Sequence, residues 1–232
     1  MKSQKVTESI SSARRSYQDA CGAAHGLDLL GERWSMLVVR ELMLGPRRFS
    51  ELRAGLPGIS ANVLTQRLEG LEESGILVRR RLPPPASVQV YELTPWGYEA
   101  EPLLQVIGRW AARSPTHDPT LAFSAVSLML SMRTMLDPAR AGGLVARVGF
   151  RIGEEGFVAR LGEGQLPIER GDPAGCDVIF VGQPPLIAAA IYGGVPLAAL
   201  EQAGQIAVEG DRQLAERYVT LFPMPAKVGA LV

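Results

Sequence analysis

Residues 60–75, SANVLTQRLEGLEESG, form the stretch that decides the fold of the first half of this chain. At 100° per residue, Leu64, Leu68 and Leu71 lie on one face of a helix, and polar residues occupy the opposite face. Ser60 at the start is a favourable N-cap residue, because its hydroxyl can accept a hydrogen bond from a free N–H group. The stretch therefore predicts an amphipathic helix with one buried face and one face in solvent.

The solvent face of this predicted helix carries short polar side chains. Asn62, Thr65 and Gln66 lie on it together with Glu69. Hydroxyl and amide groups can read base edges in the major groove of DNA, which favours a recognition helix. Arg67 lies between the two faces, where its charge suits a phosphate. The base-contact candidates are Ser60, Asn62, Thr65 and Gln66.

Two helices and a turn are predicted before the recognition helix. Apolar residues recur at helical spacing over residues 29–42, and the Gly-Pro pair at 45–46 ends that helix. Ser50 can cap a short second helix at residues 51–55. A turn follows at residues 56–58, so the order of elements is that of a helix-turn-helix unit.

A Pro-rich β-hairpin is predicted after the recognition helix, which Gly75 can end in a left-handed conformation. Residues 76–81 form its first strand, residues 82–87 a stiff tip, and residues 88–93 an alternating second strand. A final helix follows at about residues 94–113, with a proline at its first position, where no N–H is needed. Clustered arginines supply the phosphate-contact candidates, which are Arg47, Arg48, Arg67, Arg79, Arg80 and Arg81.

The first half of the chain resembles the HxlR-type family of bacterial winged-helix regulators, which is related to the MarR type. The resemblance covers about residues 20–113 without a gap. It is carried by the segments LGERW at 30–34, REL at 40–42, GPRRFSEL at 45–52, LPGIS at 56–60, VLTQRLEGLE at 63–72 and YELTPWG at 91–97. Trp96 departs from the pattern, since the family usually has a charged or polar residue there.

This resemblance implies a homodimer that binds a pseudo-palindromic operator in double-stranded DNA. The two recognition helices would enter successive major grooves, about one helical turn apart. Dimers of the family use their N-terminal and last helices, here about residues 10–25 and 96–113. Cys21 occupies the position of a cysteine that some members use to sense oxidants, and the alternative is a half-buried thiol without a role.

The second half of the chain begins after a linker at residues 114–119 that contains two prolines. An apolar helix is predicted at residues 121–136. Short alternating segments predict strands at 146–152, 157–161, 165–170, 177–181 and 205–209, and helices are predicted at 186–192, 197–203 and 211–222. We therefore predict an α+β protein with an arm at 1–19, a winged helix-turn-helix domain at 20–115, and a domain at 120–232 whose antiparallel sheet is covered by helices.

The second half also resembles the sterol-carrier-protein-like fold, over about residues 120–225. The resemblance is carried by CDVIFVG at 176–182, AIYGG at 190–194 and GQIAVEGD at 204–211. It implies an apolar tunnel for a hydrophobic small molecule. The pocket candidates are Phe123, Val126, Leu130, Phe150, Phe180 and Ile191, each of which is alternatively an ordinary core or dimer-seam residue.

Composition and motifs argue against an enzyme. The chain has two histidines without metal-ligand spacing, two cysteines and no nucleophile-elbow serine. Glu154 and Glu155 are interpreted as an exposed hairpin turn rather than a catalytic pair. We expect no metal or cofactor, and the absence of an apolar run of about 18 residues predicts a cytoplasmic protein without a membrane partner.

The favoured hypothesis is a dimeric transcriptional regulator whose second domain responds to a hydrophobic ligand. One alternative is a redox-responsive regulator that acts through Cys21. In another, the second domain only strengthens the dimer. The alternative from a different class is a lipid carrier whose winged helix serves protein contacts, although the Arg-rich hairpin argues against it.

Overall fold

The computed structural model describes residues 16–121 and 123–229. Most of the predicted arm at 1–19, and the start of the predicted dimer helix at 10–25, lie outside these residues. Within the described ranges, no helix has both the length and the apolar character needed to cross a membrane.

The first half contains six helices and a two-stranded hairpin within the described residues. In chain order these are α1 (Gly22–Leu30), α2 (Ser35–Leu42), α3 (Phe49–Gly55), α4 (Ala61–Glu73), β1 (Leu77–Arg81), β2 (Gln89–Leu93), α5 (Pro95–Tyr98) and α6 (Glu101–Ala111). The strands β1 and β2 pair antiparallel, with Leu77 opposite Leu93. An antiparallel backbone bridge joins Arg47 to Tyr91 on the edge of β2 that faces away from β1.

Helix α4 has the structure that the sequence predicts. The Ser60 hydroxyl accepts a hydrogen bond from the Val63 N–H at 3.2 Å, and Leu64, Leu68 and Leu71 are buried. Gly75 follows the helix with φ of +71°, a conformation that is costly for residues with a Cβ. The helix therefore begins, ends and faces the core as its residues indicate.

The single helix predicted at residues 29–42 is wrong. The chain leaves the helical path after Leu30, and Trp34 adopts a left-handed conformation with φ of +82° before α2 begins. Leu30 and Trp34 are both partly buried against the core, so their four-residue spacing imitates a continuous helix across the break.

Two further helix boundaries differ from the prediction. Helix α3 begins at Phe49 rather than after a Ser50 cap, and the Glu51 carboxylate accepts a hydrogen bond from the Arg48 N–H at 2.8 Å. The final helix is divided into α5 and α6. Pro102 in the first turn of α6 has no N–H to donate to a preceding turn, which favours a new helix start there.

The second half contains a five-stranded sheet and several helices. They are α7 (Ala125–Met135), α8 (Pro138–Ala141), β3 (Ala146–Ile152), β4 (Glu155–Leu161), β5 (Ile168–Arg170), β6 (Val178–Gly182), α9 (Pro184–Tyr192), α10 (Leu197–Gln202), β7 (Ile206–Gly210) and α11 (Arg212–Tyr218), followed by a 3-10 turn at Val219–Leu221. Helix α7 starts later than the predicted residue 121, because Ser124 caps it through the Ser127 N–H.

The sheet has the strand order β5-β4-β3-β6-β7. Three neighbouring pairs are antiparallel, but β3 and β6 are parallel, with Val148 opposite Val178. The prediction of a wholly antiparallel sheet is therefore wrong at this pair. The chain crosses from β5 back over β3 before it forms β6, and a Cβ on Gly149 would lie 2.6 Å from Pro173 of the crossing loop. The alternating pattern of each strand does not encode this crossover.

The buried apolar side chains of both halves form one continuous cluster. Helix α7 lies at its centre, because it contacts α2 and α6 of the first half and α9 of the second. Its buried residues are Val126, Ser127, Leu128, Met129, Leu130, Met132 and Met135. The winged helix is thus held by α7 against the helices that cover the sheet.

Candidate nucleic-acid interface

The polar face of α4 is open to solvent. Asn62, Thr65 and Gln66 are exposed, as is Ser60 at the helix start. The Ser60 oxygen already accepts the capping hydrogen bond, so its O–H can still donate. The structure therefore brings all four base-contact candidates to the exposed side and N-terminal end of one helix.

Arg67 is held against the protein instead of projecting freely. Its Nε donates to the Arg33 carbonyl at 2.9 Å, and its guanidinium forms an ion pair with Glu32 at 3.1 Å. These contacts tie α4 to the loop that precedes α2. Arg67 therefore anchors α4 in this structure, and reaching a phosphate would require it to exchange partners.

The hairpin arginines lie on the surface, and two of them form exposed ion pairs. Arg79 contacts Glu72 of α4 at 2.9 Å and lies over the ring of Tyr91, while Arg80 pairs with Glu92. Arg81 donates to the Ser87 carbonyl at 3.1 Å. Exposed pairs of this kind contribute about 0–1 kcal/mol each, so a phosphate can displace them.

Arg47 and Arg48 have different surroundings. The side chain of Arg47 is only 11% exposed and forms an ion pair with Glu155 at 2.8 Å. It is therefore not free for a phosphate in this structure, and Glu155 is not in the open hairpin turn that was predicted. Arg48 is exposed, and so is Arg53 on α3, which the sequence analysis missed. The sequence does contain a signal for the exposure of Arg53. Its neighbour Leu52 points into the core, and adjacent residues of a helix point in different directions.

Most of the predicted pocket residues pack against other side chains of the core. Phe150 and Phe180 stack at 5.5 Å between ring centroids, and Tyr218 packs against both rings. Val126 and Leu130 are buried in α7, and Phe123 is partly buried against the same core. These residues pack closely with one another in the apolar core, and the tunnel that the resemblance implies stays a prediction.

A separate groove of about 480 Å³ opens beside α9, α10 and α11. Ile191 is the one pocket candidate that lines it. Its walls are mostly apolar, and Arg140 and Arg212 are among the residues at its edge. A cavity of this size and character can hold a small molecule.

Helix α6 exposes a row of large apolar side chains. Val106 is 71% exposed and Trp110 is 73% exposed, and Leu103 and Ile107 complete the row. Their spacing of three and four residues places them on one face of the helix. A contiguous apolar face of this kind is typical of an interaction surface.

Cys21 is exposed at the start of α1. Backbone N–H groups of Ala24 and Ala23 lower the pKa of its thiol. The sulfur makes no side-chain capping hydrogen bond of ordinary geometry, so we ascribe the lower pKa to the field of these helix-start amides. Among the described residues, no group of three His, Cys, Asp or Glu side chains is placed to hold a metal ion.

Comparison with known proteins gives the family of the first half. Residues 29–118 match the family described as HxlR-like helix-turn-helix. The uncharacterized HTH-type transcriptional regulator YvaP of Bacillus subtilis (strain 168) is 42% identical over 86 residues, which are 37% of this chain and 79% of YvaP. The HTH-type transcriptional regulator YodB of the same organism is 39% identical over 83 residues, which are 36% of this chain and 74% of YodB.

Among solved structures, the reduced form of YodB from B. subtilis matches with 33% identity and a TM-score of 0.39. The match covers 43% of this chain and all of that chain. The family match ends at residue 118 and does not extend into the second half. On the strength of the sequence matches, this chain belongs to the HxlR-like helix-turn-helix family of transcriptional regulators.

Proposed function

We propose that this protein is a homodimeric regulator that binds a pseudo-palindromic operator through α4 and the β1–β2 hairpin. The observation that carries the proposal is the division of α4 into two faces. Its leucines are fully buried, while Asn62, Thr65 and Gln66 are exposed and uncovered by any described part of the chain. Because its buried face anchors α4 to the core, its exposed face can enter a major groove and bring hydrogen-bonding groups to the base edges.

Each part of this surface has a distinct role in the proposal. The amides of Asn62 and Gln66 can each form two hydrogen bonds with an adenine edge. Arg48 and Arg53, with no ion-pair partner among the described residues, meet phosphates beside the groove. Arg79, Arg80 and Arg81 contact the backbone once they exchange their surface partners. Phosphate contacts fix the register, and base contacts provide the sequence preference.

The dimer in this proposal forms through α6. Burying Val106, Trp110 and their neighbours against a second copy removes a large apolar surface from water. Leu27 of α1 is also exposed and can extend the seam. A two-fold axis through this seam would present two copies of α4 to two half-sites.

Selection from a random DNA duplex library tests the regulator hypothesis. The selected duplex is then titrated with the full-length protein across a salt series. We expect a Kd of about 10⁻⁸ M or tighter and a steep loss of affinity with salt. If no sequence is enriched, the winged helix is a protein-contact module, and the lipid-carrier alternative becomes the better hypothesis.

We further propose that the groove beside α9 and α10 takes the hydrophobic effector. The probes are octanoate and octanol, which share a chain length but differ in charge. An effector that prefers one state of the dimer changes operator affinity by its differential binding to the two states. Ala198→Trp fills the groove, whereas Ala199→Trp, on the same helix but outside the groove, is the matched control. A domain that only strengthens the dimer predicts no response to either probe.

A second candidate mechanism is a redox response through Cys21. The exposed position and lowered pKa of the thiol favour it, because the thiolate is the form that oxidants attack. The test is release of the selected duplex after peroxide treatment. Cys21→Ser should abolish that release, and Cys176→Ser should retain it.

A further inference from the structure

The first residue of β4 contacts the winged helix through its carboxylate. Glu155 accepts a hydrogen bond from the Arg47 guanidinium at 2.8 Å, across 108 residues of sequence. Its other oxygen pairs with Arg170 of the neighbouring strand β5. Arg170 in turn lies over the ring of Phe157, with its guanidinium carbon 4.9 Å from the ring centroid.

In this cluster two guanidinium groups pair directly with one carboxylate, and the buried carboxylate of Glu41 also acts on Arg170 through its charge. Burial disfavours the charged form of Glu155, but hydrogen bonds from Arg47 and Arg170 outweigh that effect and lower the pKa of its carboxyl. Three buried N–H sites, Arg47 Nε and Arg170 Nε and Nη2, have no partner among the described residues. Glu155 is thus the only carboxylate that directly pairs with both guanidinium groups in the described part of the chain.

Arg47 occupies the corner where the helix-turn-helix unit joins the hairpin. Its N–H donates to the Tyr91 carbonyl at 2.9 Å, and the Tyr91 N–H donates back to the Arg47 carbonyl at 2.8 Å. The next residue, Arg48, is the N-cap of α3. A displacement at Arg47 would therefore move β2 of the hairpin and the start of α3 together.

Burial, rather than the face of the hairpin, distinguishes Arg47 from Arg79, since their side chains are 11% and 40% exposed. Arg47 and Arg79 both lie opposite Tyr91, so all three side chains are on the same face of the hairpin. Tyr91 is buried on that face. On this shared face, Arg79 pairs with Glu72 of α4, whereas Arg47 pairs with Glu155 of the second half.

We infer that Glu155 is a positioning residue for DNA binding, supplied by the second half of the chain. By holding Arg47, it fixes the hairpin relative to α3 and α4, so that both can contact one duplex. The inference rests on the proposed DNA-binding function. It also assigns to the second half a role that requires no ligand.

The experiment compares Glu155→Gln with Glu154→Gln in the full-length protein. Glu154 is the adjacent, exposed residue and forms no ion pair with the described residues. On the duplex selected by the unaltered protein, Glu155→Gln should weaken binding about tenfold, within the range for coupled neighbouring groups. Glu154→Gln should leave the Kd unchanged. Circular dichroism and urea unfolding show whether each variant is folded under the binding conditions.

A double-mutant cycle tests whether Glu155 acts through Arg47. Arg47→Met should reproduce the loss, and the double variant should lose no more than either single variant. The dependence of log Kd on log salt should keep its slope in all three variants. A direct phosphate contact by Arg47 would instead reduce that slope by about 0.9 when the residue is replaced.

Three results would overturn the inference. The first is an unchanged Kd for the duplex in a folded Glu155→Gln variant. The second is a loss of affinity in the double variant that equals the sum of the two single losses. The third is tighter binding by Glu155→Gln, in which Arg47 is released. Tighter binding would mean that Glu155 withholds Arg47 from DNA. Failure of the unaltered protein to select any duplex would instead count against the proposed function, so the two failures are distinguishable.

Discussion

Helices α4 and α7 are similar in length but have opposite surroundings. Helix α4 buries three leucines and leaves a polar face in solvent, whereas seven of the eleven residues of α7 are buried. A helix with a free polar face can meet a partner directly. A helix enclosed on nearly all sides can only hold other elements in place. The first half of the molecule therefore exposes polar side chains on α4, whereas the second half encloses α7 in an apolar core.

The largest expected effect tests whether the second half is packed or hollow. Phe180→Ala removes a ring that stacks on Phe150 and touches Tyr218. Truncation of a fully buried phenylalanine should lower the free energy of unfolding by about 3–5 kcal/mol. Urea unfolding measures the change, with Leu121→Ala on the exposed surface as control. A loss below about 1 kcal/mol would indicate that Phe180 lines an open tunnel after all.

The next effect concerns the exposed apolar face of α6. Val106→Glu places a charge in the proposed seam twice, once from each protomer. Because burial of a valine is worth about 1.5–3 kcal/mol, the dimer dissociation constant should rise at least tenfold. Sedimentation equilibrium measures it. Val145→Glu, at an equally exposed position before β3, should have no effect, and a dimer that tolerates Val106→Glu must use another surface.

A smaller effect is expected on the exposed face of α4. Asn62→Ala removes an amide that can bind an adenine edge, at a cost of about 1–3 kcal/mol of discrimination. Binding to the selected duplex should weaken, while binding to a scrambled duplex and the unfolding free energy should stay the same. Glu73→Ala, exposed near the far end of the helix, is the control. Equal losses on both duplexes would reassign Asn62 to a sequence-independent role.

The contrast between the two helices also explains what the sequence could predict. The buried and exposed faces of α4, its Ser60 cap and the bounds of β3 depend on residues close in sequence, and the prediction of each is confirmed. Periodicity reports these local features directly. It also identified α7 as apolar on more than one face, without showing which elements enclose it.

The features that were missed depend on contacts between distant residues. The Trp34 break retains helical spacing, and the parallel β3–β6 pair depends on a crossover near Pro173. Arg47 resembles its neighbour Arg48 in the sequence, but Glu155 turns it inward. Contacts between residues so far apart do not affect local alternation or charge clustering. Sequence patterns alone therefore could not predict that the side chain of Arg47 is largely buried and that Arg48 is exposed.

The smallest expected effect is a difference in thiol reactivity between the two cysteines. Cys21 lies in the first half and Cys176 in the second, so one experiment compares the two halves. Helix-start amides lower the pKa of Cys21, whereas burial raises the pKa of Cys176, with Arg147 acting in the opposite direction. A lower pKa means a larger thiolate fraction at any pH below full ionisation, and the thiolate is the form that reacts. Iodoacetamide should therefore modify Cys21 with a pH midpoint below that of Cys176.

Mass spectrometry of Cys21→Ser and Cys176→Ser, each with one remaining thiol, measures the two midpoints separately. Serine at position 21 should leave the unfolding free energy nearly unchanged, because serine is itself a favourable N-cap residue. Equal midpoints would show that the start of α1 does not activate Cys21, and the redox candidate would lose its support. A lower midpoint for Cys176 would mean that the more reactive thiol lies in the second half of the molecule.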